Sequence, residues 1–326
     1  MSTTNWGIIG PGKIAHKFAQ DLALVPGARL HAVASRTLEK AHQFAAQYGA
    51  PHALGSYEEL VQLPDLDVVY VATPHSEHHA HALLCLRAGV AVLCEKAFAR
   101  NASEVADMVA VAREKQVFLM EALWTRFVPA THKALELVGA GAIGRPVHMV
   151  ADFGFAADYN PASRLFDPGL AGGSLLDIGI YPVFFSKFFL GEPTQVKAVG
   201  TLTETGVDLT CSLALAYPGG ATASLYSTLA ATTDTTCTIY GTEGKLHLHH
   251  KFHHAHHITL HRTDEEPQDF HFEDAGYGYR YEAQHVQECL AQGLTESPLV
   301  PLAFSEKLIE TLDDIRQQLG VHYPGE

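Results

Sequence analysis

The sequence predicts an α/β protein of two domains: a doubly wound parallel sheet over residues 1–122, and an α+β domain over 123–326 built on a large open, mostly antiparallel sheet. Three observations predict it. From Asn5 to about Glu121, short β-branched runs alternate with helical segments bearing cap residues, the pattern of βαβ units. A glycine loop separates the first run from the first helical segment. Beyond Thr125 the texture changes to alternating polar and apolar segments divided by turn residues, notably Pro218-Gly-Gly and Gly241-Thr-Glu-Gly244.

The strands expected of the first domain are Trp6–Ile9, Leu30–Ala34, Val68–Ala72, Ala91–Cys94 and Val117–Met120. Between them Thr37 opens a helix that Gly49 ends, Ser56 with Glu59 and Asn101 with Glu104 have capping-box spacing, and Gly89 closes a helix over Ala80–Ala88. In the second domain a helix around Pro129–Val138 precedes strands at Val147–Phe155, Val196–Leu202, Asp208–Tyr217, Ala221–Thr228, Thr235–Tyr240, Lys245–His250 and Ile258–Arg262. Helices are expected at Leu175–Phe189, Tyr281–Gln292 and Ala303–Leu319, the last ended by Gly320. Leu209–Thr233 lacks any Asp, Glu, Lys or Arg, but Pro218-Gly-Gly divides it, so a β-hairpin is expected there rather than a membrane span.

A net charge of −14 excludes general affinity for nucleic acid or anionic lipid, which require a surplus of Lys and Arg. With 18% charged and 47% hydrophobic residues there is apolar material for a core and for a subunit interface, so a homodimer through the open sheet is expected. Five cysteines without a C-x-x-C pair, and a start without a basic, apolar leader, point to a reducing cytoplasmic setting.

Gly10-Pro11-Gly12-Lys13-Ile14-Ala15 lies between the first strand and the first helix, where backbone N–H groups approach a pyrophosphate and the helix N-terminus stabilises its charge. At the end of the second strand, where an NAD site presents an acid, stand Ser35-Arg36-Thr37; an arginine and a hydroxyl suit a 2′-phosphate, so NADP is expected, with NAD the alternative. Thr73-Pro74-His75 and His78 follow the next strand at the edge where ligands bind. Glu95-Lys96 ends the strand after that, placing an amine where it can protonate or orient a reacting hydroxyl.

Together with these segments, Met120-Glu-Ala-Leu-Trp124-Thr-Arg126-Phe, Gly172-Gly-Ser-Leu-Leu-Asp177-Ile-Gly-Ile-Tyr181-Pro, Gly278-Tyr279-Arg-Tyr-Glu282-Ala and Glu296-Ser-Pro-Leu-Val-Pro resemble the Gfo/Idh/MocA family of nicotinamide-dependent oxidoreductases over essentially the whole chain. Within it, the chain is most similar to the branches acting on trans-dihydrodiols and, with NADP, on D-xylose. Two departures stand out: Ala97 follows Glu95-Lys96 where members usually have proline, and His75 replaces an asparagine common in the family, as it does in the dihydrodiol branch.

The resemblance implies a Rossmann dinucleotide-binding domain, a substrate-binding and dimerisation domain, and hydride transfer between the nicotinamide and a secondary alcohol of a sugar, polyol or cyclic trans-diol. It implies Lys96, Tyr181 and Asp177 as catalytic residues. Many relatives have histidine as the base where this chain has Tyr181. A phenol of pKa near 10 is a poor base at neutral pH unless a cation stabilises its phenolate, and Lys96 is the cation for that role. Asp177 and Tyr181, four apart, share one face of a helix. Trp124 and Arg126 are implied on the cofactor side, and His75, Trp124, Phe155 and Tyr279 on the substrate side, where aromatic walls suit a ring or the apolar face of a sugar. The alternative is a catalytically silent NADP(H)-binding sensor, disfavoured by the joint presence of Lys96, Asp177 and Tyr181.

Seven histidines fall between His247 and His257. Pairs spaced by two along a strand project to one side and can bind a divalent metal, but no acid or cysteine lies within the run. The expectation is adventitious metal affinity and a pH-sensitive surface, with no metal in the catalytic chemistry, so that turnover survives EDTA.

Overall fold

The computed structural model describes residues 3–326; the first two residues of the expected nucleotide domain lie outside it. The described chain divides into two compact units, one running to Phe127 and resuming over Ala275–Ile309, the other comprising Val128–Asp274 and Glu310–Glu326. Residues 275–309, placed by the sequence with the second domain, therefore pack with the first unit.

The first unit carries β1 (Thr4–Ile9), α1 (Lys13–Leu22), β2 (Ala28–Ala34), α2 (Leu38–Tyr48), β3 (His52–Leu54), α3 (Tyr57–Leu60), β4 (Val68–Val71), α4 (His75–Arg87), β5 (Ala91–Glu95), α5 (Ala102–Lys115) and β6 (Leu119–Ala122). The strands form a parallel sheet in the order β3-β2-β1-β4-β5-β6. The order reverses between β1 and β4, the switch point where doubly wound sheets bind ligands. Every residue of β4, β5 and β6 is buried, as expected of strands covered on both faces. Ser56 and Asn101 accept from the amides of Glu59 and Glu104, as their spacing predicts. Three readings change. Helix α4 begins at His75 rather than Ala80, so that it carries His75 and His78. The three-residue strand β3 is too short to show a period in sequence, and the last strand runs two residues further than expected, which places Glu121 within it.

The second unit carries α6 (Pro129–Gly139), β7 (Pro146–Gly154), α7 (Ile180–Leu190), β8 (Gln195–Leu202), β9 (Asp208–Ala216), β10 (Thr222–Thr228), β11 (Cys237–Gly241), β12 (Gly244–Leu248), β13 (His257–Arg262) and β14 (Gln268–His271). Its sheet runs β14-β13-β12-β11-β7-β10-β9-β8. All neighbours are antiparallel except β7 and β10, because β7 inserts between two meanders, β8-β9-β10 and β11-β12-β13-β14. The uncharged Leu209–Thr233 stretch folds largely into the antiparallel pair β9 and β10.

Alternation fixes the two faces of this sheet. Met149, Ala151, Leu213, Leu215, Ala223, Leu225, Ile239, Leu246, Leu248, Ile258 and Leu260 all point inward and are buried. The segment Pro168–Leu190 is long and apolar enough to cross a membrane, yet 83% of its most apolar window is buried inside the fold. Two further helices follow, α8 (Tyr279–Ala291) in the first unit and α9 (Leu302–Leu319), within which the division between Ile309 and Glu310 falls.

Candidate active site

In the first unit the glycine loop leaves β1 at the sheet's switch point. Gly10 has a φ of +85°, and a Cβ there would stand 2.7 Å from the Thr73 side chain, so this turn admits only glycine. A Cβ on Gly12 would meet nothing closer than the Gly10 carbonyl at 4.0 Å, leaving open space at the N-terminus of α1. No side chain caps that helix and no acid lies in its first turn, so its amides are left for an anion. These features fit the pyrophosphate of a dinucleotide. Pro11 is half-buried in the loop, and in the first turn of α1 Lys13 is exposed and Ile14 half-buried.

At the end of β2, Ser35 is buried with its hydroxyl accepting from the Thr37 amide at 3.2 Å, while Arg36 is exposed. Thr73 and Pro74 follow β4, with Pro74 at the N-cap of α4 and Thr73 Oγ1 3.0 Å from His81 Nδ1. His75 is buried, its ring 5.6 Å from that of His78. His78 corrects the expectation that it reaches the ligand. It is wholly enclosed, with Nδ1 2.8 Å from the Ala97 carbonyl and Nε2 2.8 Å from the Thr73 carbonyl. Burial lowers its pKa to about 4 even though both carbonyls favour the charged ring. The neutral ring has one N–H and so donates to one of these carbonyls while packing between the backbone after β4 and the backbone after β5.

Glu95 ends β5, accepting from the buried Tyr70 hydroxyl and from the Lys96 amide, the latter at 3.2 Å. Lys96 is half-buried, and the Lys96–Ala97 peptide, where the resemblance expects proline, is cis. After β6, a turn of 3₁₀ helix over Trp124–Phe127 carries Trp124, whose ring lies 4.9 Å from that of Tyr279. Arg126 follows, half-buried, with desolvation lowering its pKa.

Two acids that sequence reasoning missed support this unit. Asp21, at the end of α1, accepts from the amides of Tyr277, Tyr279 and Arg280 at 2.7–3.2 Å and so caps α8. Glu282, one turn into α8, is fully buried, and neither carboxyl oxygen has a hydrogen-bond partner among the described residues. Burial, with repulsion from Glu95 and Asp21, holds its pKa well above the usual carboxylate range. Glu282 lies inside one of the quoted signatures, a signal that could have marked it.

The second unit holds Phe155, Asp177 and Tyr181. The expected continuous helix over 175–189 instead begins as a π-helical turn, Leu175–Gly179, that passes into α7. Such turns carry an extra residue and recur at functional sites. This one is anchored by Asp208, whose carboxylate accepts from Ser174 Oγ and the Leu175 amide, both at 2.7 Å. Gly173, with a φ of +115°, leaves room for that carboxylate, which a Cβ would strike. Burial raises Asp208 to about 6 against those two hydrogen bonds.

Asp177, in the π turn, forms a two-pronged ion pair with Arg164, at 2.8 and 3.3 Å. Tyr181, in the first turn of α7, is 6% exposed among the rings of Phe153 (5.5 Å), Phe184 (5.6 Å) and His253 (5.2 Å). His253 stacks on Phe153 at 4.4 Å, so one member of the histidine run lies beside the candidate base. Phe155 packs, together with Phe153, against an apolar cluster of Phe166, Ile178 and Leu229. Arg164 and His253 were not anticipated, since nothing in their spacing connects them to Asp177 or Tyr181.

Residues 4–123 match the model of the oxidoreductase family with an NAD-binding Rossmann fold, and residues 131–247 match that of the GFO/IDH/MocA C-terminal domain. The chain is 42% identical to trans-1,2-dihydrobenzene-1,2-diol dehydrogenase of Mus musculus over 98% of each sequence. Its structure is similar to that of an aldose-aldose oxidoreductase from Caulobacter crescentus complexed with glycerol, at a TM-score of 0.89 and 26% identity over 97% of each chain. It shares its fold with a levoglucosan dehydrogenase in complex with NADH and L-sorbose, at a TM-score of 0.89 and 23% identity over 98% and 97% of the two chains. The glycine loop at the switch point, the Glu95-Lys96 strand end and the Gly-Gly-Ser helix entry thus stand in a chain that belongs to the Gfo/Idh/MocA family of nicotinamide-dependent oxidoreductases, as a dehydrogenase acting on CH–OH groups.

Proposed function

We propose that this dehydrogenase uses NADP and oxidises a secondary alcohol of a cyclic trans-diol or a sugar, with Lys96 and Tyr181 handling the substrate proton. The observation that carries the cofactor preference is Arg36, exposed at the end of β2 beside Ser35, where an NAD site presents a carboxylate. A guanidinium there favours a 2′-phosphate by charge-assisted hydrogen bonds. Gly10 to Ile14 would hold the pyrophosphate at the N-terminus of α1. Thr73, Pro74, His75, Glu95, Trp124 and Arg126 would line the nicotinamide side, with His78 fixing their backbone from behind. When bound, the nicotinamide supplies a hydride acceptor at C4.

The chain's own residues do the rest. Tyr181 takes the hydroxyl proton of the substrate, and the Lys96 ammonium stabilises the phenolate that makes this feasible. Asp177 orients the substrate through its ion pair with Arg164, whose side chain is 58% exposed and so can reach a ligand hydroxyl. His75, Trp124, Phe155 and Tyr279 supply the walls for a ring. The names of the relatives, one acting on a dihydrobenzenediol and the others on sugars, support the substrate class. The same names disfavour a silent nucleotide sensor.

Two finer assignments accompany this reading. A homodimer forms through the open face of the second unit's sheet, where Val150, Val199 and Tyr240 stand exposed on one side. The setting is the cytoplasm, supported by five buried and unpaired cysteines. Substitution tests the chemistry: Tyr181→Phe and Lys96→Met should each lower kcat by about 10²- to 10⁴-fold, while cofactor binding, read by nucleotide fluorescence, survives. Near-normal turnover in either variant would refute the couple.

A further inference from the structure

The two ends of the histidine run lie along β12 and β13 of the second unit's sheet in a defined register. Leu248 pairs with Ile258 and His247 with Thr259 across β12 and β13; His257 pairs with His271 and Thr259 with Asp269 across β13 and β14. Just past the end of β12, the His249 amide donates to the His257 carbonyl at 3.2 Å. Because side chains alternate, the leucines and Ile258 turn inward while His247, His249, His257, Thr259, Asp269 and His271 share the outer face. Asp269, far outside the run, supplies the acid that the run itself lacks.

We propose that His249, His257 and Asp269 form a binding site for one divalent transition-metal ion, with zinc as the reference ion. One ligand atom from each lies within 4.8 Å of the others. A single buried hydroxyl gathers the set: Thr259 Oγ1 donates to Asp269 Oδ1 at 2.6 Å and lies 2.8 Å from His249 Nε2 and 3.3 Å from His257 Nε2, so binding an ion would release the ring protons that these bonds use. His257 Nε2 is 2.8 Å from the same carboxylate oxygen. The rings lie close, His249 and His257 3.9 Å apart and within 2° of parallel and His257 4.3 Å from His271, so sharing one ion requires one of the two to turn out of the stack and bring its lone pair toward Asp269. Two imidazoles and one carboxylate select zinc, cobalt, nickel or copper over magnesium or calcium, which prefer all-oxygen sets.

The site also has a position that gives it consequence. His249 and His257 form the base of the loop that carries His253 onto Phe153 beside Tyr181, so an ion joining them closes that loop. The proposal rests on the geometry of one unit and is independent of the dehydrogenase reading.

Zinc titration of the full-length protein by calorimetry, with the absorption bands of bound cobalt(II) as a second readout, tests it. One ion per chain should bind, raising the thermal midpoint and giving cobalt bands of nitrogen and oxygen ligation. Asp269→Asn and His249→Gln, made separately, should each weaken zinc by at least about tenfold. The paired control His250→Gln with His256→Gln should leave affinity unchanged, because those rings bond instead to the carbonyls of Asp234 and Phe272. Affinity that persists in Asp269→Asn and His249→Gln, or that falls equally in the control, would overturn the assignment.

Discussion

Arg36 is the residue on which cofactor choice turns, because it is the one charged group among Ser35-Arg36-Thr37 at the end of β2. Replacing it with alanine should raise KM for NADP about ten- to a hundredfold, the value of a charge-assisted hydrogen bond, while KM for NAD stays unchanged. Steady-state kinetics with both nucleotides check this, and equal effects on the two would remove Arg36 from 2′-phosphate recognition. Residue type and position along a strand made Arg36, Lys96 and the glycines legible from sequence alone. Side-chain partners were not legible. Asp21 caps a helix 258 positions along the chain, and His78 faces two carbonyls rather than a ligand. Neither arrangement leaves a periodic or local trace.

At the scale of the element, legibility followed locality. The Ser56 and Asn101 caps and the left-handed Gly49 are set by neighbours within four residues and stand where expected. The insertion of β7 beside β10, roughly seventy residues away in sequence, depends on long-range pairing that composition does not encode. The π turn that presents Asp177 arises from the distant Asp208 gripping Ser174 and Leu175. A second buried acid, Glu121 on β6, accepts from the Phe98 amide at 3.0 Å and is pushed by burial from 4.5 up to about 7.

Glu121 makes stability depend on pH in a defined direction. Between 4.5 and about 7 the folded chain holds a proton that the unfolded chain has released. The stability this supplies is complete below 4.5 and is lost as pH rises through 7, a change of about 3 kcal/mol. Glu121→Gln keeps an acceptor for Phe98 but has no proton to lose. Its unfolding free energy should therefore fall by about 2.5 kcal/mol less than that of the parent between about pH 5 and about pH 8 in denaturant titrations. Identical pH profiles would show that Glu121 is already ionised in the fold.

For the whole molecule, the opposite faces of the second unit's sheet explain the low charge fraction. The inner face is apolar and covered, whereas the outer face carries Val150, Val199 and Tyr240 toward one end and histidines toward the other. Burying this end in a homodimer predicts that Val199→Glu, at a position 71% exposed in the single chain, shifts the protein toward monomer in light scattering without loss of fold. A parent that is monomeric at working concentration would exclude this interface. The acidic total, meanwhile, does not prevent a polyanionic cofactor from binding, because Lys13 and Arg36 are exposed at the loop and strand end where it would lie. The decisive measurement is the appearance of reduced nicotinamide when the protein and NADP are offered trans-dihydrodiols, aldoses and inositols in turn. Reduction with at least one of these alcohols, faster with NADP than with NAD and abolished by Tyr181→Phe, is the predicted result; tight NADP binding with no reduction by any of them would contradict it.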